Sequence, residues 1–441
     1  MNERNTLKVN SLGHLEIGGC DALDLAEQFG TPLYVFDEAY IRKMMRTYKS
    51  TIEKEYSGNG NVLYASKAFA CQAVYCIAKQ EGIGVDVVSG GELYTALSAG
   101  FPAEKIYMHG NNKTIEELNY AIENSIGTIV VDSYREADII EEIAGRLNKV
   151  QNVLIRINPG VEAHTHAFVQ TARTDSKFGF SISDGTAFKI TEHVLSKKNV
   201  KLIGFHCHIG SQIFEKQSFV LAANKMMDFI AEVKKATWFE AATLNIGGGF
   251  GIYYTDEDPK LKQEDYAAYL KALCDAVKTK SDELGLKQPY IVIEPGRSII
   301  GEAGITLYTV GAIKDIPAVK KYVAIDGGMF DNPRYALYQS KYTVVAAGDV
   351  NGECVQKVTI AGKCCESGDI IAVDVPLPDV KSGDVVAVLS TGAYNYSMAS
   401  NYNRNFIPAA VLVNEGKAEF IIKKQTYEDL IRNDAIPERL K

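Results

Sequence analysis

The pattern of apolar and polar positions divides the chain into two regimes. Between about residues 60 and 300, short apolar runs alternate with stretches whose apolar residues recur at helical spacing. The strand-like runs fall at 61–66, 83–88, 105–109, 127–132, 152–158, 202–207, 243–247 and 290–294. Helical patterns separate most of them, at 71–80, 91–99, 114–124, 134–148, 217–235 and 263–284. Eight strands interleaved with helices over roughly 250 residues match the count and size of a closed (β/α)8 barrel. An open, doubly wound sheet is the competing layout, but its Gly-x-Gly-x-x-Gly turn is missing after the first strand.

Beyond about residue 303 the helical alternation stops and short strands take over. They are predicted at 305–313, 322–326, 342–346, 356–362, 385–389, 409–413 and 418–423, the last two joined by the hairpin turn Asn414-Glu415-Gly416-Lys417. This is a separate β domain. Ahead of the barrel lie a hairpin over 7–17, a short helix over 22–29 and a strand over 31–37. A helix follows from Glu38 to about Tyr56, with Ile41, Met44, Met45, Tyr48 and Ile52 near one face. The N-terminal strands have no place in a barrel and are expected to pair with the β domain.

Composition narrows the function classes. The 441 residues are 46% hydrophobic and 23% charged, as in an ordinary soluble globular protein. The net charge of -8 is spread out, which argues against a nucleic-acid partner. The longest apolar runs are strand-sized, so no membrane partner is expected. The first residues carry charge without an apolar run behind them, so no secretory leader is expected. The eight cysteines lack metal-binding or disulfide spacing and fit a reducing cytoplasm.

A barrel places its chemistry at the strand C-terminal ends, and unusual residues gather there. The first strand, Val62-Leu63-Tyr64-Ala65, runs into Ser66-Lys67. A lysine ending an apolar strand either snorkels to solvent or presents an amine able to form a Schiff base with an aldehyde. The second strand ends at Asp86-Val87-Val88-Ser89, and the fifth carries Arg156 and Asn158-Pro159. The sixth ends at His206-Cys207-His208-Ile209-Gly210-Ser211. His206 and His208 alternate onto one side, and with His164 and His166 they keep a zinc hydrolase open as a rival. No metal site is expected, because the other strand ends offer lysine, glycine and arginine.

The seventh strand ends at Gly247-Gly248-Gly249, more glycine than one turn requires, which points to phosphate held by bare backbone amides. The eighth ends at Glu294-Pro295-Gly296-Arg297. A carboxylate there could face a pyridine nitrogen, or simply pair with Arg297. In the β domain, polar loops around Asp331-Asn332-Pro333-Arg334 and Tyr338, around Cys364-Cys365-Glu366 and around Tyr394 have the character of binding loops.

Tyr64-Ala65-Ser66-Lys67-Ala68-Phe69, His206 to Gln212, Gly247 to Gly251, Glu294 to Arg297, Cys365 to Asp369 and Gly392-Ala393-Tyr394 occur in one order and spacing. Together they resemble the fold-type III pyridoxal-phosphate decarboxylases over about residues 10 to 430. The resemblance implies an α/β architecture: an alanine-racemase-like (β/α)8 TIM barrel over 38–303, plus a C-terminal β-sandwich or β-barrel domain formed by 304–441 with 1–37. It implies pyridoxal 5'-phosphate as cofactor, bound to Lys67 as an imine. His208 would stack on the ring. Ser211, Gly248, Gly249 and Tyr394 would contact the phosphate, and Glu294 would face the pyridine nitrogen. Asp86, Arg156, Pro295, Gly296 and Arg297 would complete the cofactor site.

For the substrate, the resemblance implies Arg297, Arg334, Tyr338, Glu366 and Tyr394, with Cys365 of a partner subunit as proton donor. Cys364 stands beside it, so the choice of thiol rests on the resemblance. Asp331 to Arg334 with Tyr338, and Asp175 to Gly179, point to the branch that converts meso-2,6-diaminopimelate to L-lysine and CO2. Decarboxylation of ornithine, arginine or lysine, and a non-catalytic regulatory relative, are the other readings. A cytoplasmic homodimer with shared active sites is implied.

Overall fold

The computed structural model describes residues 7–161 and 176–441. His164, His166 and Asp175, named above, lie outside them, as does the charged start of the chain. The chain forms two compact units: Arg42–Ile252 with Pro259–Ile299, and the remainder, comprising the residues up to Ile41, Tyr253–Asp258 and everything from Ile300 onward.

The second of these units opens with short strands β1 (Lys8–Val9), β2 (Leu15–Ile17) and β3 (Cys20–Asp21), helix α1 (Ala22–Phe29) and strand β4 (Leu33–Asp37). Asp21 caps α1 by accepting the Leu23 N–H. Helix α2 (Glu38–Glu55) follows, and Ile41, Met44, Met45, Tyr48 and Ile52 are all buried on its inward stripe, as their spacing predicts.

The barrel unit contains β5 (Gly60–Ala65), α3 (Gln72–Glu81), β6 (Gly84–Val87), α4 (Gly90–Ser98), β7 (Ile106–Met108), α5 (Ile115–Glu123), β8 (Thr128–Val131) and α6 (Tyr134–Arg146). It continues with β9 (Gln151–Asn158), the two-residue β10 (Phe180–Ser181), α7 (Thr186–Leu195), β11 (Val200–His206) and α8 (Lys216–Thr237). It ends with β12 (Thr243–Asn245), α9 (Gln263–Leu284) and β13 (Tyr290–Ile293), after which α10 (Arg297–Ile300) begins.

Every pairing in this sheet is parallel. β13 pairs with β5 and β8 with β9, so eight strands close into a ring, with β10 added beside β9. Closure excludes the open sheet. The strands are buried along nearly their whole length, as expected when helices cover one face and side chains fill the other. Ser89, Thr114 and Ser133 each cap the helix that follows a strand, and Glu117 completes a capping box with Thr114. Helix α7 escaped the sequence reading although Ala187, Ile190, Thr191 and Val194 have helical spacing and are buried.

The other unit resumes with β14 (Gly304–Ile316), β15 (Lys320–Ile325), α11 (Arg334–Tyr338), β16 (Val344–Ala346), β17 (Gln356–Ala361), β18 (Ile370–Leu377), β19 (Val385–Val388), β20 (Ala409–Asn414) and β21 (Lys417–Ile422). β4 lies between β14, antiparallel, and β20, parallel, so this N-terminal strand joins the sheet, whereas β1, β2 and β3 do not and pair with one another in a separate three-stranded sheet. β20 and β21 are joined by Glu415 and Gly416, both at positive φ, as a tight hairpin turn requires. β18 went unpredicted because Asp374 and Pro376 break its apolar alternation. It is an edge strand, where a proline is tolerated and a register shift absorbs the irregularity.

One close approach fixes the barrel wall beside the site. A Cβ on Gly204 in β11 would lie 1.9 Å from the carbonyl oxygen of Thr243 in β12. Gly204→Ala should therefore force the two strands apart and cost about 3 kcal/mol, read as a lower urea midpoint. Gly91→Ala is the control: its Cβ would meet just Ser89 Oγ at 3.7 Å, so stability should hold or rise. Equal midpoints for Gly204→Ala and the parent would contradict the packing.

Candidate active site

Lys67 sits two residues beyond β5, on a 3-10 turn over Ser66–Ala68, and it is exposed while Ser66 and Ala68 are buried. The chain turns at Ser66, so the lysine stands at the strand end on the rim. Lys67 remains an electrostatic neighbour of Asp86, Glu92 and His208. Burial pushes the Asp86 carboxyl well above the usual carboxylate range, Glu294 adds to the rise, and Lys67 opposes it. For His208, burial holds the imidazole well below its ordinary value, and the Lys67 charge works in the same direction.

The centre of the barrel rim is Glu294, immediately after β13 and 7% exposed. Asn245 Nδ2 donates to its Oε1 at 2.6 Å. His109 Nε2 lies 2.8 Å from the same oxygen, and His206 Nε2 lies 3.2 Å from Oε2. Burial alone would raise this carboxyl. The two imidazoles outweigh it and hold Glu294 well below its ordinary range, so the group is an anion. Burial in turn lowers both imidazoles, His206 to about 4.

His206 thus faces His109 and Glu294, while His208 turns to the glycine loop, where its Nδ1 accepts the Gly248 N–H at 3.3 Å. A metal pair of His206 with His208 is not what the fold assembles. The described residues close enough to share a cation are His109, His206 and Glu294. The alternative pairing of Glu294 with Arg297 is also absent: Arg297 donates from an Nη to Ser211 Oγ at 2.9 Å.

The three glycines are required by neighbouring backbone. A Cβ on Gly248 would lie 2.1 Å from the Glu294 carbonyl oxygen, and one on Gly249, at φ +108°, would lie 2.3 Å from the Gly210 carbonyl oxygen. Close approach of adjacent strand ends accounts for the run, so glycine excess by itself is no argument for phosphate. Pro295 accepts the Ala65 N–H through its carbonyl at 3.3 Å, and a Cβ on Gly296 would meet Ala65 Cβ at 2.8 Å. Glu294 and the start of the Lys67 turn are thereby held at adjoining points of the rim. Arg156 has its guanidinium 4.3 Å from the centre of the Phe178 ring and acts electrostatically on Glu294, His206 and His208. Its electrostatic neighbours include Asp132, whose carboxyl burial pushes up to about 6.

In the β unit, Asp331 is buried and fixes the loop ahead of α11. Its Oδ1 accepts from Tyr308 and from the Gly328 N–H, each at 3.1 Å, and its backbone carbonyl accepts from Tyr34. Arg334 follows, 9% exposed, with its guanidinium 5.6 Å from the ring centres of both Tyr338 and Tyr394. Burial would lower it, but the hydroxyls of Tyr342, Tyr254 and Tyr394 outweigh that and hold it above its usual value. It donates from an Nη to Ser340 Oγ at 3.3 Å, and among the described residues no carboxylate lies within ion-pair distance of it. Tyr394 holds a left-handed backbone, φ 63°, which is unusual for an aromatic residue.

Asp369, buried, ties the cysteine loop to the loop ahead of Arg334: its carboxylate accepts the Met329 N–H at 2.6 Å and the Cys364 N–H at 2.7 Å. Cys364 is half-buried, and burial followed by the Asp369 charge pushes its thiol up to about 12. Cys365 and Glu366 are exposed, and the Cys365 N–H donates to Asn403 Oδ1 at 2.9 Å.

Sequence reasoning missed His109, Asn245 and the buried pair Lys113–Glu136, separated by 2.5 Å. His109 was legible in principle as a polar residue closing the apolar run 105–109. Asn245 lay inside a run read as strand, and Lys113 and Glu136 carry no signal of burial in an otherwise polar context.

The family described as "Pyridoxal-dependent decarboxylase, pyridoxal binding domain" matches residues 38–301. The chain is 50% identical to a diaminopimelate decarboxylase of Bacillus subtilis over 97% of each sequence. It is also 50% identical to one of Bacillus methanolicus, covering 95% of this chain and 96% of that one. A crystal structure of a diaminopimelate decarboxylase from M. jannaschii, in complex with L-lysine, superposes with a TM-score of 0.91 at 38% identity over 99% of each chain. The likeness spans both units and rests on sequence and fold alike: the chain belongs to the pyridoxal-dependent decarboxylases, within the diaminopimelate decarboxylase family.

Proposed function

We propose that this protein removes CO2 from meso-2,6-diaminopimelate to give L-lysine, the last step in making that amino acid. Pyridoxal phosphate is the cofactor of the family. The barrel rim fits it: Glu294 is a buried anion whose neighbours within ion-pair distance, among the described residues, are imidazoles held neutral by burial. That leaves a net negative charge suited to a protonated ring nitrogen. When bound, the cofactor supplies an aldehyde for an amine and an aromatic ring that accepts the electron pair left by departing CO2.

The chain's own residues divide the remaining work. Lys67 offers a primary amine at the rim, exposed and beside Asp86 and His208. His208 offers a ring face, and Ser211 with the amides of Gly248 and Gly249 offers donors for a phosphate, joined by Tyr394. Asp86, Arg156, Pro295, Gly296 and Arg297 shape the surrounding wall. Because the product is L-lysine, the carboxyl group lost is the one at the D centre. The L centre, with its carboxylate and ammonium, must then be recognised at the far end.

The observation that carries this substrate is Arg334: a buried guanidinium among tyrosines with no carboxylate of the described residues within ion-pair distance. A distal carboxylate satisfies it, whereas the purely cationic tail of ornithine or lysine does not. Glu366 suits the distal ammonium, and Arg297 and Tyr338 complete the substrate contacts. Cys365 Sγ delivers the proton to the carbon that lost CO2; its neighbour Cys364 is held protonated beside Asp369 and is the poorer candidate. We further propose a cytoplasmic homodimer in which Cys365 serves the partner subunit's site.

Arg334→Ala should lose on the order of 2–5 kcal/mol in kcat/KM for diaminopimelate, since it removes a charge-assisted contact in a partly dry site. Unchanged kcat/KM would remove Arg334 from the substrate site, and a gain of ornithine activity would make it a filter against cationic tails.

Subunit sharing has its own test. Lys67→Ala and Cys365→Ala should each be nearly inactive alone. Mixed and exchanged, they should recover roughly one quarter of the parental sites, because half of randomly paired dimers are mixed and each mixed dimer holds one intact site. Verified exchange without recovered activity would mean that Cys365 does not act across subunits.

A further inference from the structure

The two histidines around Glu294 have no part in the chemistry above, yet they are buried against its central carboxylate. His109 follows β7 and is held there by its backbone N–H, which donates to the Val87 carbonyl at 2.8 Å. The loop behind it is pinned by Lys113, buried, whose Nζ donates to the Gly110 carbonyl at 2.8 Å, the Val130 carbonyl at 2.7 Å and Glu136 Oε1 at 2.5 Å. His206 arrives from the opposite side at the end of β11, and the two rings meet edge to face with centres 4.8 Å apart.

The proton positions follow from distance. A bare ring nitrogen 2.8 Å from an anionic oxygen would set lone pair against lone pair, so His109 Nε2 carries a hydrogen, although the contact with Glu294 is close without the alignment of a hydrogen bond. His206 Nε2 does the same at 3.2 Å, while its Nδ1 is buried with no partner among the described residues, so a second hydrogen there would be unsatisfied. His206 is thus a neutral donor, and burial favours the neutral form of His109 as well. That matters for charge: two imidazolium ions would cancel the carboxylate and remove the attraction for a cationic ring nitrogen, whereas neutral donors stabilise the anion and leave its charge uncompensated.

We propose that His109 is a positioning residue for the decarboxylation, its Nε2–H lying against Glu294 and holding it ionised beside the hydrogen bonds from His206 and Asn245. The inference rests on Glu294 facing the cofactor's ring nitrogen, and the test separates the two claims. The enzyme is loaded with pyridoxal phosphate carrying nitrogen-15 in the ring, and the protonation of that atom is read by NMR for the parent, Glu294→Gln, His109→Ala and His109→Gln. Thermal unfolding confirms that each variant is folded.

In the parent the ring nitrogen should be protonated, and in Glu294→Gln it should not. In His109→Ala the signal should move toward the unprotonated form and kcat should fall roughly tenfold or more, the scale of one lost hydrogen bond to a charged group, with KM for diaminopimelate little changed. His109→Gln keeps an N–H donor and should restore both. If Glu294→Gln leaves the ring nitrogen as it was, the role of Glu294 is wrong. If Glu294→Gln alters it but folded His109→Ala keeps the parental signal and kcat, Glu294 stands and the His109 inference is overturned. If His109→Ala does not fold, His109→Gln decides: a parental signal supports the donor role, and a shifted signal in a folded protein overturns it.

Discussion

A carboxylate can be kept ionised inside a barrel when donors from the protein replace the water it has lost. Glu294 is that carboxylate, and it constrains the rest of the barrel unit. Its contacts come from Asn245 at the end of β12, His206 at the end of β11 and His109 just after β7. β11, β12 and β13 are neighbours in the ring, while β7 lies across it. Their ends converge on one oxygen pair only when the sheet is closed and its register fixed. The glycines then follow as consequences, because the loops that bring these strand ends together leave no room for a Cβ at Gly248 or Gly249.

The β unit meets a related problem with the sign reversed. Arg334 is a buried cation, held by a loop whose own geometry depends on two buried carboxylates. Asp331 binds that loop through Gly328 and Tyr308, and Asp369 binds it through Met329 while also holding Cys364. Gly328 and Gly362 pack so closely on Asp369 that a Cβ would come within 2.6 and 2.2 Å of it. The arginine loop and the cysteine loop are therefore coupled within this unit. The residues that give the motifs their appearance, Asp331 and Asp369, are supports for the exposed or half-buried groups beside them.

Periodicity carried the barrel: all eight strands and most helices could be placed from apolar spacing, because parallel strands buried on both faces are near-continuous apolar runs. β18 and α7 were not legible in practice. The former is an edge strand whose solvent-facing positions need no alternation, and the latter is short and flanked by polar turns. The site was legible where residue type is itself unusual at a strand end, as at Lys67, His208 and Glu294. Burial was not legible: nothing in Ser66-Lys67 tells that the lysine is exposed, and nothing in the glycine run tells how closely neighbouring backbone approaches it. The roles of His109 and Asn245 were hidden for the same reason: they depend on contacts across the barrel from residues more than 100 positions away or in neighbouring strands.

The account as a whole turns on which carboxyl group leaves and what remains. The direct measurement is to incubate the cofactor-loaded protein with meso-diaminopimelate labelled with carbon-13 in both carboxyl groups, collect the gas and resolve the amino-acid product on a chiral column. The account predicts labelled CO2 and L-lysine in equal amounts, with the retained carboxyl still labelled, and little CO2 from ornithine, arginine or lysine. D-lysine as product, no labelled CO2, or release from ornithine at the same rate would contradict it.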